Sequence, residues 1–170
     1  MSLVLYLYRK YNSSTDKDNL ELCKLKNVYC FCNYKIVGID KNNYNKNQRL
    51  MLQQEYNMDP YYFTQDTFKN ILLDLKDNGN FTLTSIYFLD ESICESCEYE
   101  ELNNSIINRK INEIYEDVNY ILDEFDTEIY KISLKHLDTT ITITSEGVLS
   151  LQSPMSIKKI SNLDKVILGI

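Results

Sequence analysis

The sequence predicts an α+β fold, an antiparallel β-sheet with two or three helices packed on one face, and three observations carry that prediction. Short segments of alternating polarity stand as hairpin-like neighbours, as in EIYKISLKHL, TTITITS and GVLSLQS over 128–153. Two other segments place apolar residues at helical spacing instead. Strands also follow strands directly, without the strict β-α-β alternation of a parallel sheet. At 170 residues, 44% of them apolar, the chain is read as one domain, 1–170, with enough core to need no disulfide staple.

LVLYLYRKY at 3–11 sets Leu3, Leu5 and Leu7 against Val4, Tyr6 and Tyr8, the pattern of a strand covered on both faces. NSSTDKDN at 12–19 is a polar loop. VYCFCNYKIV at 28–37 reads as a second strand ended by Gly38, and KNNYNKNQ at 41–48 as a surface loop, with a short helix in 49–57 closing before Asp59-Pro60. FTQDTFKNILLDLKDNGN at 63–80 reads as a helix. Thr64 is placed to cap it, Phe63 and Phe68 to staple it, Asp66 to face its positive end, and Gly79 to stop it. Its apolar stripe is Phe68, Ile71, Leu72 and Leu75.

FTLTSIYFL at 81–89 returns as a strand. A long helix is predicted over about 104–126, its seam formed by Ile107, Ile111, Ile114, Val118, Ile121 and Phe125. Three closing strands follow, with Glu146-Gly147 as a tight turn, and then Ser153-Pro154 opens a short helix carrying Ile157, Ile160 and Leu163.

The longest apolar runs fall far short of a membrane span, and Arg9 and Lys10 after LVLYLY argue against a secretion signal. Five cysteines, an odd number, fit a reducing compartment, so a cytoplasmic protein is expected. The absence of Trp and Ala beside abundant Asn, Lys, Ile and Tyr marks an A/T-rich genome.

Charge is distributed unevenly. Residues 90–128 hold thirteen Asp or Glu and two basic residues, Arg109 and Lys110, for a local −11; the whole chain carries −7, which leaves +4 elsewhere. One reading is a solvated helix face that maintains solubility. The other is a partner-binding surface made of Glu98, Glu100, Glu101, Glu113, Glu116, Asp117, Asp123 and Glu124. Fixed carboxylates of this kind fit a basic groove that otherwise holds nucleic-acid phosphates. Direct nucleic-acid binding by this face is not expected, because its field would repel phosphates.

Cys94 and Cys97 have knuckle spacing, and with Cys30 and Cys32 they would make a four-thiolate zinc site if their segments met. The alternative, which is favoured, has Cys30 and Cys32 as core hydrophobes and Cys94 and Cys97 in a loop, with no cofactor. A redox CxxC is disfavoured because Glu95 and Glu98 would raise the thiol pKa values. His136, the one histidine, reads as a structural or surface-exposed strand residue, and there is no GxSxG, HExxH, phosphate loop or dinucleotide fingerprint. Catalysis is not expected.

MSLVLYLYRK, YYFTQDTFKNILLDL and IYEDVNYILDEF together resemble a group of small uncharacterised phage and prophage proteins that open on a strand similar to MGLDMYLYK. Ser2 stands where that group has glycine, and its tryptophan-containing central motif is absent here. The resemblance implies a mobile-element origin and no particular activity. Three functions follow as expectations. The first is a phage-encoded, anti-CRISPR-like inhibitor that binds a basic surface on a host defence protein. The others are a zinc-stabilised structural or regulatory module, and an immunity protein against a basic toxin.

Overall fold

The computed structural model describes residues 2–10, 25, 27–32, 35–78, 81–152 and 163–168. Strand β1 (Leu3–Lys10) lies inside the sheet because both of its faces are apolar, Leu5 and Leu7 facing one core and Tyr8 a second. The sheet has eight strands, all antiparallel. In spatial order they are β2 (Val28–Phe31), β3 (Ile36–Asp40), β1, β8 (Val148–Leu151), β7 (Thr139–Thr144), β6 (Ile129–His136) and β5 (Thr82–Phe88). A short β4 (Met58–Pro60) continues the β8 side of β1. The antiparallel α+β architecture predicted from the sequence is therefore the one observed.

Residues 28–37 are not one strand but the hairpin of β2 and β3. The chain reverses where Cys32 takes a left-handed conformation, φ 54°, and the Lys35 N–H donates to the Cys32 carbonyl at 3.2 Å. Gly38, read as a terminator, lies inside β3. A Cβ there would stand 3.0 Å from Leu5 Cδ1 and 3.2 Å from the Phe31 ring, so glycine permits close approach rather than a stop.

The supposed loop 41–48 contains a helix start. Helix α1 (Lys46–Gln54) opens with a reciprocal cap: the Gln48 N–H donates to Asn45 Oδ1 at 3.0 Å, and the Asn45 N–H donates to Gln48 Oε1 at 3.1 Å. Leu52 of α1 and Met58 pack on Tyr8, Val37 and Ile39, so this end of the sheet is covered on the face opposite the main core. That helix adds a second layer to the one-face arrangement.

On the main face, helix α2 (Gln65–Asn78) buries its expected stripe, Phe68, Ile71, Leu72 and Leu75. The Thr67 N–H donates to Thr64 Oγ1 at 3.2 Å, and the Phe63 and Phe68 rings stack at 5.9 Å. The expected stop at Gly79, the loop 12–19 and the helix opening at Ser153-Pro154 lie outside the described residues. The segment predicted as one helix over 104–126 is two, α3 (Cys97–Ile107) and α4 (Ile111–Glu124), packed as an antiparallel hairpin. Ile114, Val118 and Ile121 of the seam are buried, each such side chain contributing about 1.5–3 kcal/mol, whereas Ile107 is 75% exposed. Helix α5 (Leu163–Leu168) closes the core with Leu163, Val166 and Ile167.

The break between α3 and α4 contains no glycine or proline. Arg109 takes the left-handed position after the helix end, φ 56°, with its N–H on the Ile106 carbonyl at 3.1 Å and the Lys110 N–H on the Ser105 carbonyl at 2.9 Å. Those two bonds satisfy carbonyls the helix end would otherwise leave open. No helix among the described residues is long and apolar enough to cross a membrane.

Candidate protein-binding surface

The acidic segment is held by three devices. Ser96 caps α3, its Oγ accepting from the Tyr99 N–H at 3.2 Å. Tyr99 then anchors the first turn to the sheet, its hydroxyl donating to the Ile86 carbonyl of β5 at 2.9 Å while its ring meets Phe88 edge-on. Burial, reinforced by the neighbouring Cys94, raises the Tyr99 pKa, so the phenol stays a donor. The Leu89 N–H donates to the Glu128 carbonyl at 2.9 Å, which fastens the entry to this segment against its exit.

The Leu89–Glu128 bond, the Asp90 N–H on Thr127 Oγ1 at 3.4 Å and the Tyr99 anchor on Ile86 bring the start of α3 and the exit of α4 to the same end of β5. Asp90, Glu91, Glu95, Glu98, Glu100 and Glu101 therefore gather at the same end as Asp123, Glu124, Asp126 and Glu128, and neither 90–101 nor 123–128 contains Lys or Arg. The opposite end is the Asn108-Arg109-Lys110 turn. The acidity is thus polarised along the hairpin, not spread along one helix face.

The eight residues singled out from the sequence divide accordingly. Glu100, Glu101, Asp123 and Glu124 are exposed at the acidic end, with Glu98 half-buried beside them, and none of these five has an ion-pair partner among the described residues. Glu113 belongs to the other end, where Lys110 Nζ lies 2.8 Å from its carboxylate. Glu116 is exposed further along α4. Asp117 is no part of an open surface: its Oδ2 accepts from the buried Ser105 hydroxyl at 2.9 Å and bolts α4 to α3. A charge-assisted bond of that kind is worth about 1.5–3 kcal/mol. Asp90, which the sequence reading left out, is occupied as a cap. It accepts from the Ser92 N–H at 2.9 Å and the Ser92 hydroxyl at 2.7 Å, which lowers its pKa.

Helix dipoles make the placement unequal. Glu98 and Glu100 sit at the positive N-terminus of α3, where carboxylates are favoured. Asp123 and Glu124 occupy the last turn of α4, which has no basic residue, and Asp126 follows in a left-handed conformation, φ 46°. Negative charge there opposes the dipole, so these carboxylates are kept against the local preference of the helix.

The cysteines do not form the proposed four-thiolate set. Cys30 and Cys32 belong to the β2–β3 hairpin at one edge of the sheet, while Cys94 and Cys97 follow β5 at the other. Six strand spacings separate β2 from β5, roughly 29 Å at about 4.8 Å each. Cys30 is also in a disulfide, against the expectation of free thiols. Cys32 is buried; its thiol donates to the Asp164 carbonyl at 3.5 Å, and burial followed by the Asp164 charge pushes its pKa up to about 12. Cys94 and Cys97 are exposed, in a single 3₁₀ turn and at the first position of α3, not in a loop. No group of three or more His, Cys, Asp or Glu among the described residues is arranged to hold a metal ion. His136 is buried on the core side against Phe81, with ring centroids 4.9 Å apart.

Compared with protein-family models, curated proteins and solved structures, the chain finds no match, so the acidic end of the α3–α4 hairpin stands on its own geometry as the candidate site.

Proposed function

We propose that the protein acts without catalysis, by presenting the acidic end of the α3–α4 hairpin to a basic surface on a partner protein. The observation that carries this reading is the placement of Asp123, Glu124 and Asp126 at the end of α4, where they oppose the helix dipole. Solubility alone would be served as well by carboxylates at helix N-termini, at no cost in stability. Carboxylates held by a capped and anchored hairpin lose little freedom on binding, and a concentrated negative field speeds encounter with a cationic surface.

A protein that handles nucleic acid fits as partner, since its groove is already built for closely spaced negative charge. Together with the resemblance to phage and prophage proteins, this gives an inhibitor of a host defence complex, occupying the groove in place of DNA or RNA.

The test is a pull-down from host lysate with wild type and with Glu100→Lys, Glu101→Lys, Asp123→Lys and Glu124→Lys combined, beside a Glu113→Lys, Glu116→Lys control. A nucleic-acid-binding protein retained by wild type and by the control, lost from the fourfold variant and displaced by competing duplex DNA is the expected result. Retention of the same protein by the fourfold variant at unchanged affinity would remove the acidic end as the site.

A further inference from the structure

The opposite end of the hairpin carries a surface of different chemistry. Ile107 is 75% exposed and Leu137 69% exposed, the highest values for large apolar side chains among the described residues. Single exposed aliphatic residues are ordinary; these two line one concavity of about 530 Å³, together with Leu83, Ile106, Thr82 and Thr84. Arg109 and Lys135 line it as well, so a chain of net charge −7 gathers two exposed cations around an apolar hollow. Arg109 and Leu137 are both in left-handed conformations, φ 56° and 52°, that L residues rarely adopt, and both side chains border this hollow.

One wall comes from the start of β5. β5 is an edge strand, paired among the described residues only with β6. The second half of β5 is occupied, with the Tyr99 hydroxyl on the Ile86 carbonyl, whereas Thr82–Thr84 border the concavity. A register shift between Leu83 and Ser85 interrupts the strand, a device that discourages edge-to-edge pairing and would confine an added strand to a few residues.

We propose that this groove binds a short extended segment of a partner protein in which aliphatic and acidic residues alternate, added as a strand beside Thr82–Thr84. Side chains of an added strand point alternately to the two faces of the sheet. On the core side they meet Ile106 and Ile107. On the other face Lys135 of β6, opposite Thr82 in register, reaches toward them across β5, and Arg109 borders the same hollow. The partner chemistry is the reverse of the basic one sought at the acidic end, so the two surfaces are separable by mutation.

The probe is a dye-labelled, blocked hexapeptide alternating Leu and Asp, titrated by fluorescence anisotropy. Saturable binding to wild type is expected, with affinity at least about ten-fold weaker for Lys135→Glu and for Ile107→Glu. Both side chains are exposed, and thermal melts matching wild type will show that the variants fold. A peptide with Lys at every Asp position, and one N-methylated at alternate residues, should fail to bind. Equal binding of the Asp and Lys peptides, or no saturation by about 1 mM, would overturn the proposal. So would displacement of the peptide by laurate at lower concentration, which would mark a small-amphiphile site. A dimer in sedimentation that Ile107→Glu dissociates would show instead that a second copy covers the groove.

Discussion

Neutralising Asp123 and Glu124 should make the fold more stable, and neutralising Glu98 and Glu100 should make it less so, although all four belong to the same acidic end. A carboxylate within the terminal turn of an exposed helix contributes about 0.3–1 kcal/mol, favourable at the N-terminus and unfavourable at the C-terminus. Asp123→Asn with Glu124→Gln removes two unfavourable terms at the end of α4, for a gain of about 1 kcal/mol. In a chain of this length that raises Tm by about 2–4 °C. Glu98→Gln with Glu100→Gln removes two favourable terms at the start of α3. Relief of repulsion within the patch adds a gain to both pairs, so the dipole is read from the difference between them. Urea denaturation at low ionic strength, repeated at about 0.5 M NaCl, is the assay, because surface electrostatics are screened by salt. Equal stabilisation by both pairs would mean that crowding of like charge governs this end and that the position of Asp123 and Glu124 on the dipole is immaterial. Their placement would then carry no functional meaning.

Gly147→Ala should cost at least about 3 kcal/mol in the same assay, since φ is +78° and the new Cβ would fall 1.7 Å from the Tyr61 carbonyl oxygen, which cannot yield as a side chain does. Gly38→Ala, meeting only side-chain atoms at 3.0–3.2 Å, should cost about 1–3 kcal/mol, and equal losses would contradict the distinction. Iodoacetamide at pH 8 should modify Cys94 and Cys97 and spare Cys32 in the folded protein. The Cys32 pKa of about 12 leaves almost no thiolate until the pH approaches that value, and mass spectrometry showing Cys32 labelled as fast as the exposed thiols would contradict its burial.

Periodicity made the sheet and α2 legible, because alternating Ile and Thr in β7 and the Phe68–Leu75 stripe follow directly from which face meets the core. The misreadings share a cause: turns made by residues other than glycine. Cys32 reverses the β2–β3 hairpin and Arg109 ends α3, both in conformations usually left to glycine, while Gly38 sits inside a strand. The α1 start was visible as Asn45 followed three residues later by Gln48, and the α3 start as Ser96 before an acidic turn, but polar composition hid both. The acidity of 90–128 could be counted in the sequence. Its concentration at one end, the use of Asp117 as a bolt and the hollow at the other end all depend on where the hairpin turns, and no local signal marks that point.

The position of β1 also sets the order in which the molecule can be completed. Strand β1, the first of the described strands, lies in the interior of the sheet, with Leu3 opposite Leu151. Strands β2 and β3 can join it early, and β6, β7 and β8 can assemble as successive hairpins, with β5 joining β6 across the α3–α4 segment. The two halves meet only when β8 reaches β1, a contact between residues near opposite ends of the described chain. Pairings so distant in sequence form slowly, and during synthesis the open side of β1 waits until β8 has left the ribosome. In that interval Leu5 and Leu7 are the residues most in need of protection from other nascent chains.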